Sequence, residues 1–220
     1  MSVKLACVVI IAVLTCLFAL PGLVIFLLIA GSAVPVAANA AAAGDIPPVA
    51  MAAYTDAAAR VGDLVTGCTV PAPVLMAIGK VESNHATPVI GAALDGSIPG
   101  TATVHDTDGG ALDGDPVWDH AVGPMQILPS TWRAWGQDAN GDGVADPQDY
   151  ADAALTAAVI LCHDAGGPAD ARGLARADLT VPATLATALH GYNDADAYVA
   201  EVMAWAAWYG ESGRAARSAA

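Results

Sequence analysis

A chain of 220 residues that is 55% hydrophobic is long enough for one domain with a real core. Its formal charge is −14, and only Lys4 of the eight basic residues precedes Asp45, so the rest carries 7 basic against 22 acidic groups, a net of −15. Such a surface repels phosphate backbones and has no basic stripe, which argues against nucleic acid as a partner.

Residues 5–30, LACVVIIAVLTCLFALPGLVIFLLIA, carry no charge, and as a helix they would span about 39 Å. A bilayer core needs about 20 apolar residues, whereas the apolar core of a cleaved signal has about 7–15. Pro21-Gly22 interrupts the run, which a membrane helix tolerates as a kink. Lys4 and the amino terminus mark the cytoplasmic side. Residues 1–30 therefore read as a transmembrane signal-anchor. The alternative is a cleaved signal, for which Ala38 and Ala40 offer the small-residue pair. Both place the acidic remainder outside the cytoplasm, either membrane-anchored or secreted. Cys7 and Cys16 lie inside the apolar run, so the exported part holds only Cys68 and Cys162. An oxidising compartment favours a disulfide between them, the alternative being two buried thiols.

Residues 31–48, GSAVPVAANAAAAGDIPP, have the composition of a linker. A helix follows from Val49 to Val65, stopped by Gly67-Cys68, and Pro71 or Pro73 opens the next one. A Gly- and Asp-rich stretch then predicts a long loop with a short strand pair around Ala102–Val104 and Ala111–Leu112. Long excursions of this kind are usually functional. Further helices are predicted at Pro129–Trp135, Asp149–His163, Pro182–His190 and Asp196–Tyr209, with a frayed tail over 211–220. The expected architecture is mainly α: one helical domain over 49–210 with a small β excursion.

The second helix carries an oddity. Leu75, Ile78 and Gly79 precede Glu82 by seven, four and three positions, so a carboxylate shares the apolar stripe while Lys80 takes the wet face. Burial disfavours the charged form of a carboxyl and raises its pKa, which turns it into a proton donor near neutrality. Cleavage of a glycosidic bond needs such a donor for the leaving oxygen. His85, at the helix end, reads as polar surface. Trp132, Trp135, Trp205, Trp208 and Tyr209 read as core, and Trp118, in the Asp-rich loop, is the aromatic most suited to meeting a glycan.

DANGDGVADPQD sets Asp138, Asn140, Asp142, the Val144 carbonyl, Asp146 and Asp149 at positions 1, 3, 5, 7, 9 and 12 of an EF-hand-like loop, with Gly143 at the sharp turn. Position 12 is Asp rather than Glu, so a structural Ca2+ would be held weakly, at roughly 10⁻⁴–10⁻³ M. Asp106, Asp108, Asp113 and Asp115 are candidates for a second cation site, although turn formation is their commoner role.

Three segments, VESNH (Val81–His85), GPMQILPSTW (Gly123–Trp132) and HGYND (His190–Asp194), give the order Glu-Ser, Gly-x-Met-Gln, Tyr-Asn. Together with DTDGGALDGDPVWDHAVGPMQ and DGVADPQD, this order resembles the secreted, membrane-anchored lytic murein transglycosylases, from about Tyr54 to Tyr209. The resemblance implies a lysozyme-like fold and cleavage of peptidoglycan glycan strands without a catalytic cofactor. It implies that Glu82 is the sole catalytic acid and base, that Ser83 orients it or the substrate's acetamido group, and that Met125 and Gln126 line the sugar groove. Tyr192 and Asn193 would contact Glu82 or the glycan near the cut. Pro124 and Gly191 depart from the family's commoner Leu and Ala, which bears on groove geometry. Two other readings stay open: a hydrolysing muramidase with Asp113, Asp115 or Asp119 as second carboxylate, and a calcium-stabilised wall-binding module without catalysis. An envelope-spanning secretion or conjugation machine is a candidate partner.

Overall fold

The computed structural model describes residues 45–99, 101–166 and 177–218, all within one compact unit, Ala42–Ala220. The expected membrane anchor and most of the linker lie outside the described residues. Among the described residues no helix is long and apolar enough to cross a membrane.

Helix α1 (Pro48–Leu64) begins at a proline pair whose fixed φ suits a first turn. It buries Ala50, Ala53, Tyr54, Ala57 and Val61, the three-and-four spacing of a single face. Helix α2 (Ala72–Ser83) follows Pro71 and buries Val74, Leu75, Ala77, Ile78 and Gly79. The short helix α3 (Pro129–Trp135) precedes α4 (Tyr150–Asp164), whose residues 152–162 are all buried. That run is rich in alanine, which lets neighbours approach closely, and α1 and α5 (Pro182–Tyr192) both pack on it. Asp149 caps α4, accepting the N–H groups of Ala151 and Asp152. The last helix, α6 (Asp196–Ser218), lies along α2.

The β excursion is where the sequence reading needs correction. Strand β1 (Ile90–Ala93) pairs antiparallel with β2 (His120–Val122), Ile90 opposite Val122 and Ala93 opposite His120. The expected strands at 102–104 and 111–112 do not form, apart from an isolated bridge between Thr103 and Asp95. Asp108 takes the N–H groups of Gly110, Ala111 and Leu112 with its carboxylate, which coils that stretch into a turn. The less acidic segments flanking the loop pair instead. Helix α6 also runs through Ser218, not to Tyr209, since no proline follows Gly210 to stop it.

Cys68 and Cys162 form a disulfide, Cα atoms 6.0 Å apart, joining the segment after α1 to the buried face of α4 across 94 residues of chain. A Cys68→Ser/Cys162→Ser double variant is expected to lose roughly 2–5 kcal/mol of stability. Chemical denaturation would read this as a lowered midpoint, reproduced by reductant on the parent protein and absent when reductant is added to the variant.

Candidate active site

Glu82 stands in the last turn of α2, half-buried. Burial pushes its carboxyl up to about 7, and the Tyr198 hydroxyl of α6 draws it part of the way back. Among the described residues, no neighbouring carboxylate contributes to that shift. Tyr198 is only 8% exposed, and its hydroxyl has no hydrogen-bond partner of standard geometry among the described residues. The group it faces is the Glu82 carboxyl, whose ionised form it favours. Sequence reading missed Tyr198. Its signal was available, because Tyr198, Val202 and Tyr209 recur on one face of α6 at offsets of four and seven and all three are buried.

The three segments singled out in the sequence are tied together by side chains. The Ser83 hydroxyl donates to the Pro124 carbonyl at 2.8 Å, fastening the end of α2 to the turn before α3. The Tyr192 hydroxyl, in the last turn of α5, donates to the Met125 carbonyl at 2.7 Å. Burial raises the Tyr192 phenol well above its ordinary pKa, and the charges of Glu82 and Asp164 raise it further, so both carboxyls lie within electrostatic reach of it. Gln126 adopts φ 47° and donates through Nε2 to the Gly123 carbonyl, and its side chain lines a cavity with Tyr192. Met125 departs from expectation: its side chain is wholly buried and packs in the core, so its carbonyl is the part that serves the site. Asn193 is exposed, ends α5 as its C-cap, and accepts the Ala195 N–H with its side chain.

A buried polar knot sits directly behind Glu82. Asn84 and His85 both take positive φ, 54° and 61°, which folds the chain back under α2. His85, expected at the surface, is consequently 1% exposed. Its ring lies 3.1 Å from the hydroxyls of both Tyr54 and Tyr209. Tyr209 donates its own proton to Asp45, so His85 Nε2 carries the hydrogen and Tyr54 donates to Nδ1. Burial lowers the His85 pKa to about 4, keeping the ring neutral. Gly79 makes room for the knot, because a Cβ there would collide with the Tyr54 hydroxyl. Lys80 lies on the outer side of α2, partly exposed. It pairs with Asp45 at 2.8 Å and lies 5.1 Å from the centre of the Trp205 ring.

The carboxylates weighed as a second catalytic group are engaged within the long loop. Asp119 accepts the N–H and hydroxyl of Thr107. Asp113 accepts the N–H groups of Asp115 and His120. Asp115 accepts that of Val117 and contacts His120 Nε2 at 3.2 Å. Trp118 stacks on His105, ring centres 4.4 Å apart. The 138–149 loop turns as its repeat requires: Asp138 accepts the N–H groups of Gly141 and Gly143, Asn140 that of Asp142, and Asp142 that of Val144. Gly143 adopts φ 92°. Asp146 accepts the Gln148 N–H, and Asp149 is the cap of α4. Among the described residues, the acidic oxygens gathered within 4.8 Å of one another are instead those of Asp106, Asp108 and Asp119. Loop N–H groups already occupy those oxygens.

No protein-family model matches the chain, and no curated protein matches its sequence. Two solved structures of Escherichia coli lytic transglycosylase Slt35 are similar to it, each with a TM-score of 0.46 over 80% of this chain and 77% of the other. One is in complex with calcium, at 16% identity, and the other in complex with bulgecin A, at 17%.

A carboxyl raised from 4.5 to about 7 opposes folding as pH rises. The unfolded chain ionises first, so the associated stability is full below 4.5 and is lost as pH rises through about 7. At pH 8 the loss reaches up to about 3 kcal/mol. Glu82→Gln is therefore expected to raise the melting temperature at pH 8 and to leave it nearly unchanged at pH 4. Equal shifts at both pH values would show that Glu82 is not desolvated.

Proposed function

We propose that this chain cleaves the β-1,4 bond between N-acetylmuramic acid and N-acetylglucosamine in peptidoglycan, as a lytic transglycosylase with one carboxyl serving as acid and base. The observation that carries this reading is Glu82 itself: a half-buried carboxyl raised to about 7, with no second carboxylate among the described residues contributing to its shift, at the meeting point of the Glu-Ser, Gly-x-Met-Gln and Tyr-Asn segments.

Protonated Glu82 gives its proton to the oxygen leaving C1 of N-acetylmuramic acid, while the sugar's acetamido oxygen stabilises the positive charge at C1. The carboxylate so formed takes the proton of the sugar's C6 hydroxyl, which attacks C1 and closes a 1,6-anhydro ring. That hydroxyl outcompetes water because it is held on the same ring at high effective concentration. The Tyr198 hydroxyl, which faces Glu82, suits the ionised half of the cycle, where it can donate to the carboxylate. In this reading the domain works outside the cytoplasmic membrane, tethered by residues 1–30. The 138–149 loop takes a weakly bound structural Ca2+ when its Asp and Asn oxygens turn from loop N–H groups to the ion.

Mass spectrometry of soluble muropeptides tests the reaction. The full chain is expected to release products one water lighter than hydrolytic ones, and the Glu82→Gln chain none. Its kcat/KM is expected to fall about tenfold per pH unit above 7, where the acid form is lost. Reducing-end products would instead mean a muramidase, and release undiminished by Glu82→Gln would remove Glu82 from the chemistry. For the ion, millimolar Ca2+ is expected to raise the melting temperature, and Asp138→Ala to abolish the rise. A rise of the same size in Asp138→Ala would count against the loop.

A further inference from the structure

A cavity of about 240 Å³ opens beside Tyr192, on the side occupied by Gln126, Thr131, Trp135, His163 and Asp164. It is smaller than the roughly 300–1,000 Å³ of pockets for drug-sized ligands, so it suits a single ring. Trp135 and His163 form one aromatic edge, ring centres 4.8 Å apart.

Asp164 is poorly placed for a carboxylate on electrostatic grounds. It is the last residue of α4, and its side chain packs against Gly191 in the last turn of α5. Both helices present backbone carbonyls at those ends, where a carboxylate is disfavoured and a cation is welcome. His163 Nδ1 contacts Asp164 Oδ1 at 2.8 Å, and Oδ2 has no donor among the described residues. The chain nevertheless keeps space for this group. A Cβ at position 191 would collide with the Asp164 Cβ and sit 2.6 Å from its Cγ and 2.9 Å from Oδ2. Glycine in a helix is itself unfavourable relative to alanine, so Gly191 weakens α5 and leaves Asp164 in place.

We infer that Asp164, seated against Gly191, is a specificity-determining ligand for the N-acetylhexosamine ring next to the one cleaved, accepting a sugar hydroxyl at Oδ2 while Trp135 covers an apolar face of the ring. The inference rests on the glycan reading above. The wall explains the ligand class: an acceptor with no donor among the described residues suits O–H or N–H groups, and the flat aromatic edge suits a ring with an apolar face. Tyr192 lines the cavity and feels the charges of both Glu82 and Asp164, which sets the cavity in the neighbourhood of the reacting carboxyl.

The experiment titrates chitotetraose into the full Glu82→Gln chain by calorimetry, alone and combined with Asp164→Asn or Gly191→Ala. Gly191→Ala keeps every polar group, but its Cβ would meet the Asp164 Cβ at 2.4 Å, so the end of α4 or α5 has to shift and the carboxyl with it. Both added changes are expected to weaken chitotetraose about tenfold, the loss of one hydrogen bond to a charged group, and Asp164→Asn is expected to do so with the melting temperature of the Glu82→Gln chain unchanged, whereas Gly191→Ala lowers it through the forced shift. Affinities within twofold of that chain in both variants would overturn the inference. So would unchanged chitotetraose affinity with weakened binding of a free stem tetrapeptide, which would assign Asp164 to an ammonium group. The two readings fail separately. If Glu82→Gln still cleaves wall while the Asp164 and Gly191 variants lose chitotetraose, the catalytic assignment falls and the sugar site stands. If cleavage depends on Glu82 and chitotetraose binding ignores both changes, only the sugar site falls.

Discussion

Desolvation of one carboxyl at the end of α2 is the constraint around which the rest of the domain is arranged. A helix end is the wrong place for a buried acid, since the last backbone carbonyls already make the surroundings negative. The arrangement holds because α6 lies along α2 and closes it twice with one stripe. Tyr198 and Tyr209 are 11 residues apart, about three turns, and point to the same side. The first faces Glu82, and the second reaches His85 behind it. Sliding α6 would therefore disturb the carboxyl and its support together.

The knot around His85 shows how the end of α2 is fixed without a charge beside Glu82. Two left-handed residues would leave a helix end loose unless something over-determined them. Here the ring is gripped by hydroxyls from α1 and α6, and the Tyr150 hydroxyl of α4 donates to the His85 carbonyl at 2.7 Å. Three helices thus hold the residue three positions beyond the carboxyl. The charged members of the network, Asp45 and Lys80, pair with each other toward the surface. The Glu82 shift accordingly owes nothing to them and is set by burial. Stability given up at the carboxyl is recovered in the closely packed α4 and in the disulfide that ties it to the segment after α1.

Much of this was legible in the chain because it depends on local rules. Prolines at positions 48, 71, 129 and 182 mark helix starts correctly, since a fixed φ and a missing N–H are cheap only there. Glu82 stood out because a 3.6-residue period makes one misplaced polar residue visible. The errors fall where distant chain decides. His85 reads as surface in the sequence because its partners, Tyr54 and Tyr209, are 31 and 124 residues away. The strand pair was misplaced because acidic side chains in the long loop bind its backbone N–H groups and leave pairing to the flanks. Met125 was read as a groove residue from its motif, whereas the tight turn over 123–126 points its side chain into the core and presents its carbonyl to Tyr192.

Asp164 and Glu82 form an instructive pair, because the same electrostatic fault occurs at both. Each is a carboxyl in the last turn of a helix, and each acts on the Tyr192 hydroxyl from its own side. At Glu82 the helix end is closed over by α6, so the adverse field and the lost hydration favour holding a proton. At Asp164 the helix end opens into a cavity, with a histidine on one oxygen and space at the other. The environment thus treats two chemically similar groups differently, one closed over by a helix and the other lining a cavity. Tyr192, fixed by its bond to the Met125 carbonyl, lines that cavity and lies within the field of both carboxyls. A carboxyl that only capped structure would have been better placed at the other end of its helix, and that misplacement is the physical reason to read both as functional.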